Sequence, residues 1–411
     1  MTHIVIVGGG HAAAQAVTSL RQNKFEGDVT LISDEPVLPY QRPPLSKAYL
    51  SGDLAAERLP ILRQVAYENA GVTLKLGLRA TRIDRAAKQL ELGDGEVLPY
   101  DYLILATGGH ARRLTCPGHD LKGLHYVRTM ADTDAMRAEF LKAEKLVVIG
   151  GGYIGLETAA VARKMGKKVT VLEAADRILS RVVAPEVSAC YQAIHEAEGV
   201  TVLTHQMVTE IEGKDGHVAA VLTEDGGRYE ADMVVAGIGL VANADLAAAA
   251  ELDVHPMGIV VDDHCRTTDP AIYAVGDVTW HHNALYGRDM RLESVQNAVD
   301  QAKVAVENML GEDVVYDTLP WFWSDQYGMK LQIAGLSQGY DTLVTRGDAA
   351  ARSVAFFYLK DGVMIAADCV GRVAEFMGAK KLIAERVPVT VEALTDESRS
   401  FKEIVTGFLT A

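Results

Sequence analysis

The sequence predicts an α/β protein: two parallel-sheet domains of one kind, then a C-terminal α+β domain built on an antiparallel sheet. Three observations carry this reading. A β-branched run from His3 ends in Gly8-Gly9-Gly10 and opens an amphipathic helix. A second such run, from Lys145, ends in Gly150-Gly151-Gly152 and does the same. Beyond about residue 318 the alternation stops, and strand-like runs joined by a tight turn lead into helical patterns. A glycine-rich turn between strand and helix is the fingerprint of a Rossmann-like, dinucleotide-binding fold. The first glycine permits the turn, the second lets backbone approach a pyrophosphate, and the third position, here Ala13 and then Gly155, lets helix and strand pack closely. Two fingerprints in one chain imply two dinucleotides on one polypeptide and electron transfer between them.

The elements follow in order. After the first fingerprint the pattern predicts a helix over 12–23 and a strand over 28–33, ending at Asp34-Glu35. After the second it predicts a helix over 154–165 and a strand over 168–172, ending at Glu173. Alternation of this kind implies parallel, right-handed βαβ units. Two further buried strands end in small residues, one at Ala106-Thr107-Gly108 and one at Gly237-Ile238-Gly239. Another runs from Ile272 into Gly276-Asp277 and precedes a helix over about 294–310. A strand that returns after the second repeat makes the first domain discontinuous. The expected division is 1–113 with 240–317, then 114–239, then 318–411. In the last segment, Asp361-Gly362 between two apolar runs signals a hairpin with a type I′ turn. Two helical patterns follow, the last with Phe401, Ile404, Val405 and Phe408 on one stripe.

At 411 residues the chain exceeds what one core holds, and 49% apolar with 23% charged residues is ordinary for a globular protein. A net charge of −15 argues against nucleic acid and anionic membranes as partners. The chain enters a strand at His3, which leaves no room for a signal peptide, and no apolar run approaches the roughly 20 residues of a membrane span. The expected location is the cytoplasm. Cys116, Cys190, Cys265 and Cys369 are far apart, which excludes a clustered iron–sulfur ligand set and makes them small buried hydrophobes. No metal site is expected: His281-His282 has no third ligand and reads as a surface loop.

The fingerprint pair, together with RPPLSK from Arg42, ATG from Ala106, AVGD from Ala274, ESV from Glu293 and WFWSDQY from Trp321, resembles the flavin-dependent NADH:ferredoxin reductases of oxygenase systems, the putidaredoxin-reductase group. The match runs the length of the chain, and RPPLSK and WFWSDQY are more specific than any glycine pattern. The resemblance implies an FAD domain, an NADH domain and a C-terminal domain. The turn residues are then Gly8, Gly10, Ala12 and Ala13 for FAD, and Gly150, Gly152, Tyr153, Ile154 and Gly155 for NADH.

Asp34 is placed to accept hydrogen bonds from the adenosine ribose of FAD, with Glu35 as a local competitor that the family match disfavours. Glu173 holds the corresponding place for NADH, where a carboxylate binds both ribose hydroxyls and repels a 2′-phosphate; Arg177 and Arg181 nearby weaken that preference. In the family the residue matching Lys47 lies beside the flavin ring, and Glu157 is its expected counterion. These two are the catalytic candidates, set against a surface ion pair of little consequence. Arg42 is a flavin contact or a loop anchor. Asp277 ends a buried strand, where an unpaired carboxylate is costly, and suits the ribityl hydroxyls. Val295 opens a helix whose N-terminus favours anionic flavin. Ala80 and Arg128 rest on the family match alone; Ala106, Thr107 and Gly108, and Gly237 and Gly239, are the small residues that end a buried strand in each half, taken as contacts of FAD and NADH respectively. Trp323 packs near the flavin in this reading, against a core aromatic as the alternative. Tyr153 gates the nicotinamide or packs on its own turn.

The reaction expected is hydride transfer from NADH to FAD, with single electrons then leaving for a two-iron ferredoxin that supplies a haem monooxygenase or a ring-hydroxylating dioxygenase. A disulfide reductase of the same architecture would place Cys shortly after the first repeat, and 39–50 contains none. Reduction of a small-molecule radical or oxidant, and a scaffold role resembling apoptosis-inducing factor, are the remaining alternatives. The expected ferredoxin-docking residues are Lys303, Lys330 and Lys402, against a reading in which they are scattered solvated lysines.

Overall fold

The computed structural model describes residues 1–410; Ala411, the end of the expected C-terminal domain, lies outside the described residues. The chain divides into two compact units, one of Met1–Arg42, Ala55–His110 and Leu240–Pro320, the other of Pro43–Leu54, Ala111–Gly239 and Trp321–Ala411.

The first unit is organised by a five-stranded sheet in the order Ile272–Ala274, Tyr102–Leu105, His3–Val7, Asp28–Ser33, Val72–Leu76. Every neighbour is parallel. Such a sheet is covered on both faces, which is why its strands read as continuous apolar runs rather than alternating ones. Ile4, Ile6 and Leu31 face a core that includes Ala13, Ala16, Val17 and Leu20 of helix His11–Gln22 and Ala302 and Ala305 of helix Val295–Met309. Val5, Val7, Leu103 and Leu105 face the opposite core, shared with Ile83, Leu90 and Leu92. The first helix begins one residue earlier than the pattern suggests, because Gly10 is its N-cap. Ile272–Ala274 does return to pair with Tyr102–Leu105. The reading of His281-His282 as a surface loop is corrected: both lie in strand Thr279–Asn283. His281 is buried beside Thr279 and Gln301, whereas His282 is exposed and pairs with Asp289. Alternation along the strand sends the two rings to opposite faces.

The second unit contains a parallel sheet in the order Val200–Leu203, Lys168–Leu172, Lys145–Ile149, Met233–Ala236, Leu124–His125. Strand Lys168–Leu172 falls where the pattern puts it, and its helix, Tyr153–Lys164, again starts one residue early behind a glycine N-cap. The unit also holds a five-stranded sheet in the order Trp321–Gln326, Met329–Gly335, Val363–Val370, Ser353–Lys360, Thr342–Asp348, antiparallel throughout. At its centre Asp361 (φ 52°) and Gly362 (φ 75°) make the two-residue turn, both with the positive φ that a type I′ hairpin requires. Three helices follow rather than two, because Val391–Thr395 forms a short extra one before Phe401–Thr410. Pro43–Leu54, which the sequence division places with the first domain, groups with this second unit; Tyr49 Oη donates to Asp134 Oδ1 at 2.6 Å from within it. Among the described residues no helix is long and apolar enough to cross a membrane.

One buried side chain fixes the end of the chain. Arg346, 4% exposed, donates to the carbonyls of Leu394, Asp396 and Arg399 and pairs with Glu375 at 3.3 Å. Removing one member of a buried charged network leaves uncompensated acceptors and costs about 3 kcal/mol or more. Arg346→Met is therefore expected to lower the thermal midpoint and to open the segment Phe401–Thr410 to limited proteolysis; an unchanged digestion pattern would show that helix packing alone retains the tail.

Candidate dinucleotide sites and a buried ion pair

The two glycine turns have the same construction. Gly8 has φ 141° and Gly150 φ 100°, and a Cβ at either would run into a neighbouring carbonyl, Ala106 in the first case and Gly237 in the second. Gly10 and Gly152 cap their helices without a side-chain acceptor, as expected where a phosphate supplies the negative charge. Ala13 is fully buried at the third position of the first turn. At the same place in the second, a Cβ on Gly155 would strike the Gly150 carbonyl and lie 3.1 Å from Val148. Both cradles thus fit a dinucleotide pyrophosphate.

Around the first turn, Ala12, Ala80 and Ala106 are buried. Thr107-Gly108 is tied to Asn243: the Thr107 hydroxyl donates to its carbonyl at 2.9 Å, its amide donates to the Thr107 carbonyl at 2.9 Å, and its N–H to that of Gly108 at 3.0 Å. Asp34 is exposed, while Glu35 is engaged by Arg42 at 2.6 Å and the Tyr40 hydroxyl at 2.7 Å. Burial works against the Arg42 charge, yet Tyr40, Glu35 and Asp277 together hold its pKa above the ordinary value. Asp277 is half-buried and follows Gly276, whose N–H donates to the buried Gln301 at 2.7 Å. Val295 is the first residue of its helix, as expected, but Ser294 caps that helix by accepting from Asn297 at 3.0 Å.

In the second unit the Glu173 carboxylate accepts from the Gly151 N–H at 2.6 Å and the Ala175 N–H at 2.8 Å, which places it at the mouth of the glycine turn. Arg177 is committed to its own loop, donating to the Val183 and Ser180 carbonyls and to the Ser188 hydroxyl. Arg181 lies close to Gly239 (φ 109°), where a Cβ would be 3.5 Å from its guanidinium nitrogens. Gly237 packs on the Gly155 backbone, where a Cβ would lie 3.3 Å from the Gly155 nitrogen. Ile154 is exposed. Tyr153 packs against Phe322 with the rings tilted and their centroids 4.6 Å apart, and its hydroxyl is buried without a hydrogen bond. Arg128 is half-buried just before Thr129, the N-cap of helix Met130–Lys142.

Lys47 and Glu157 meet. Lys47 Nζ lies 2.5 Å from Glu157 Oε2 and also donates to the Pro43 carbonyl at 3.1 Å. Glu157 is 4% exposed and Lys47 19%, so this is no surface pair. Sequence reading missed the rest of the carboxylate's shell: Ser46 Oγ donates to Oε2 and Ser324 Oγ to Oε1, each at 2.6 Å. The available signal was alternation in strand Trp321–Gln326. Trp321 and Trp323 occupy one side, their rings 5.5 Å apart, while Phe322, Ser324 and Gln326 occupy the other. Half-buried Asn243 and buried Gln301, polar anchors of the first unit, were likewise missed.

Cys190, Cys265 and Cys369 are buried, and burial raises the pKa of all four thiols, Cys116 included, away from the reactive thiolate. Lys303 pairs with Asp300 at 3.0 Å, Lys330 lies opposite Asp325 across a strand pair, and Lys402 is exposed on the last helix.

The architecture defines a protein with two dinucleotide-binding domains and a C-terminal antiparallel domain. Residues 2–302 match the pyridine nucleotide-disulphide oxidoreductase family and residues 321–405 the reductase C-terminal domain. The chain belongs to that oxidoreductase family. It is 44% identical over 97% of its length to the 5,5′-dehydrodivanillate O-demethylase ferredoxin reductase subunit of a Sphingobium species, covering 97% of that protein. It is 43% identical over 98% of its length to putidaredoxin reductase of Pseudomonas putida, covering 96% of it. The crystal structure of the covalent putidaredoxin reductase–putidaredoxin complex matches with a TM-score of 0.96 at 43% identity, over 100% of this chain and 99% of that one.

Because Glu173 faces the turn and Arg177 is occupied, Glu173→Ala is expected to weaken NADH binding about tenfold, a loss of some 1.4 kcal/mol, and to narrow the preference over NADPH. Titration of both nucleotides checks this; an unchanged ratio would show that another group selects the cofactor.

Proposed function

We propose that this protein is an NADH-dependent FAD flavoprotein that reduces a two-iron ferredoxin, which in turn supplies a haem monooxygenase or ring-hydroxylating dioxygenase in the cytoplasm. The single observation that carries the proposal is full-length identity above 40%, through the C-terminal domain, with reductases of ferredoxins. The chemistry that FAD and NADH supply when bound is hydride transfer between them, followed by release of electrons one at a time. We read the chain as an FAD domain of 1–113 and 240–317, an NADH domain of 114–239 and a C-terminal domain of 318–411.

The protein's own groups bind, orient and set charge. For FAD we assign the turn Gly8, Gly10, Ala12 and Ala13 to the pyrophosphate and Asp34 to the ribose, since Glu35 is taken by Arg42. Arg128 offsets phosphate charge, and Arg42, paired with Glu35, contacts the flavin from its loop. Asp277 accepts from ribityl hydroxyls, and Ala80, Ala106, Thr107, Gly108, Val295 and Trp323 complete the flavin's surroundings. For NADH we assign Gly150, Gly152, Ile154 and Gly155 to the pyrophosphate side, Tyr153 to the nicotinamide side, Glu173 to the ribose, and Gly237 and Gly239 to backbone approach. Lys47, held in place by Glu157, supplies the cation that favours electron density on reduced flavin. With no cysteine in 39–50 and every thiol disfavoured as thiolate, no thiol takes part.

Two-iron ferredoxins of this kind are usually acidic, and this chain carries −15, so attraction must come from local charge. Lys303, Lys330 and Lys402 are the proposed contacts. NADH oxidation assayed against purified two-iron ferredoxins is expected to be fast and to slow as salt rises. Charge reversal at Lys303 and Lys402 is expected to raise the apparent KM for ferredoxin several-fold while leaving NADH-dependent ferricyanide reduction intact. Absence of turnover with every ferredoxin, beside rapid ferricyanide reduction, would favour a small-molecule oxidant as the acceptor.

A further inference from the structure

The Lys47–Glu157 pair is the end of a longer hydrogen-bonded line. Helix Tyr153–Lys164 runs beside strand Trp321–Gln326 so that Phe322 meets Tyr153 and, one helical turn on, Ser324 meets Glu157. The line continues through Gln326, whose Nε2 donates to Ser324 Oγ at 3.1 Å. Gln326 Oε1 lies 2.7 Å from Nε2 of His195, and His195 Nδ1 lies 2.8 Å from the Tyr327 hydroxyl. His195 comes from helix Pro185–Ala197, and Tyr327 from the turn after the strand. His195, Ser324 and Gln326 are each no more than 2% exposed, so none turns to water instead.

The partners assign a direction to every bond. Glu157 accepts only, as a carboxylate beside an ammonium, so Ser324 must donate its single proton to it. Ser324 Oγ then receives from an amide N–H, which sets the orientation of Gln326 and turns its oxygen toward His195. That oxygen needs a donor, so His195 carries its proton on Nε2 and accepts at Nδ1 from Tyr327. A neutral imidazole is the form this requires, and burial lowers the His195 pKa to about 4 despite the opposing effects of Gln326 and Glu198. All four donors thus point the same way, toward Glu157.

We propose that His195, Gln326 and Ser324 are positioning residues which, by aiming one polarised hydrogen-bond chain at Glu157 Oε1, hold that carboxylate with Oε2 turned to Lys47. A carboxylate that lost its Oε1 donor would rotate to share both oxygens between Lys47 and Ser46, and the ammonium would move with it. This gives the sequence WFWSDQY a physical reason: its Ser and Gln occupy the inward face of a strand, where apolar residues would otherwise fill the space, and its Tyr closes the chain at the turn. The inference rests on the assignment of Lys47 to the flavin.

The test uses the FAD-loaded full chain in four variants, Lys47→Met, Ser324→Ala, Ser324→Thr and Gln326→Met, with flavin content checked for each. The midpoint potential of the bound flavin is measured by dye equilibration, and anaerobic flavin reduction by NADH gives the limiting rate and its dependence on NADH. Lys47→Met is expected to shift the potential and slow reduction. Ser324→Ala and Gln326→Met are expected to shift it in the same direction by a smaller amount and to slow the limiting rate, on the order of tenfold for the alanine variant. The NADH concentration for half-maximal rate should stay unchanged, and Ser324→Thr, which keeps the hydroxyl, should restore wild-type values. Nitrogen-15 NMR of histidine-labelled holoprotein should show His195 neutral with its proton on Nε2. Silent Ser324→Ala and Gln326→Met variants beside an altered Lys47→Met would overturn the inference alone. A silent Lys47→Met would overturn both it and the flavin assignment, and an Nδ1-protonated His195 would contradict the direction of the chain.

Discussion

A carboxylate buried in protein must be paired, because an isolated charge costs far more than folding can supply. Glu157 is that carboxylate here. It accepts from Lys47 and Ser46 on the segment Pro43–Leu54 and from Ser324 on strand Trp321–Gln326, while its own helix rises from the second glycine turn. One side chain therefore joins three stretches of sequence that are far apart, within a single compact unit. The pairing does not have to contribute much net stability to matter. It fixes where one ammonium sits.

The same economy governs the glycine turns. At both turns the helix N-terminus has no side-chain cap and the backbone leaves no room for a Cβ at Gly8 or Gly150, a geometry that fits a phosphate. Two other helices are capped by side chains instead: Thr129 and Ser294 both accept from the first turn of the helices they begin. What distinguishes the two cradles is the combination of an uncapped helix N-terminus with a glycine turn that leaves no space for a Cβ.

Much of this was legible in the sequence because it is local. Strands Asp28–Ser33 and Lys168–Leu172 lie where hydrophobic periodicity puts them, and the Asp361-Gly362 hairpin follows from turn chemistry alone. The return of strand Ile272–Ala274 to the first sheet was readable because a buried strand needs a parallel partner. What was not legible is tertiary polar pairing. Ser324, Gln326 and His195 look like polar interruptions in amphipathic elements until the fold brings them together. His281 looked like part of a loop because a histidine pair is polar, whereas strand alternation buries one ring and exposes the other. Arg346 gave no sign that it would gather the carbonyls of the C-terminal segment, since backbone acceptors leave no trace in side-chain pattern.

We propose that this member of a family named for disulphide chemistry reduces its flavin without a thiol. Anaerobic stopped-flow reduction by NADH of a folded, FAD-loaded variant with Cys116, Cys190, Cys265 and Cys369 all replaced by Ala or Ser tests it most directly. The flavin absorbance should bleach at the wild-type rate and recover on addition of oxidised two-iron ferredoxin. Loss of NADH-dependent bleaching in that variant would contradict the account and return the chemistry to a cysteine.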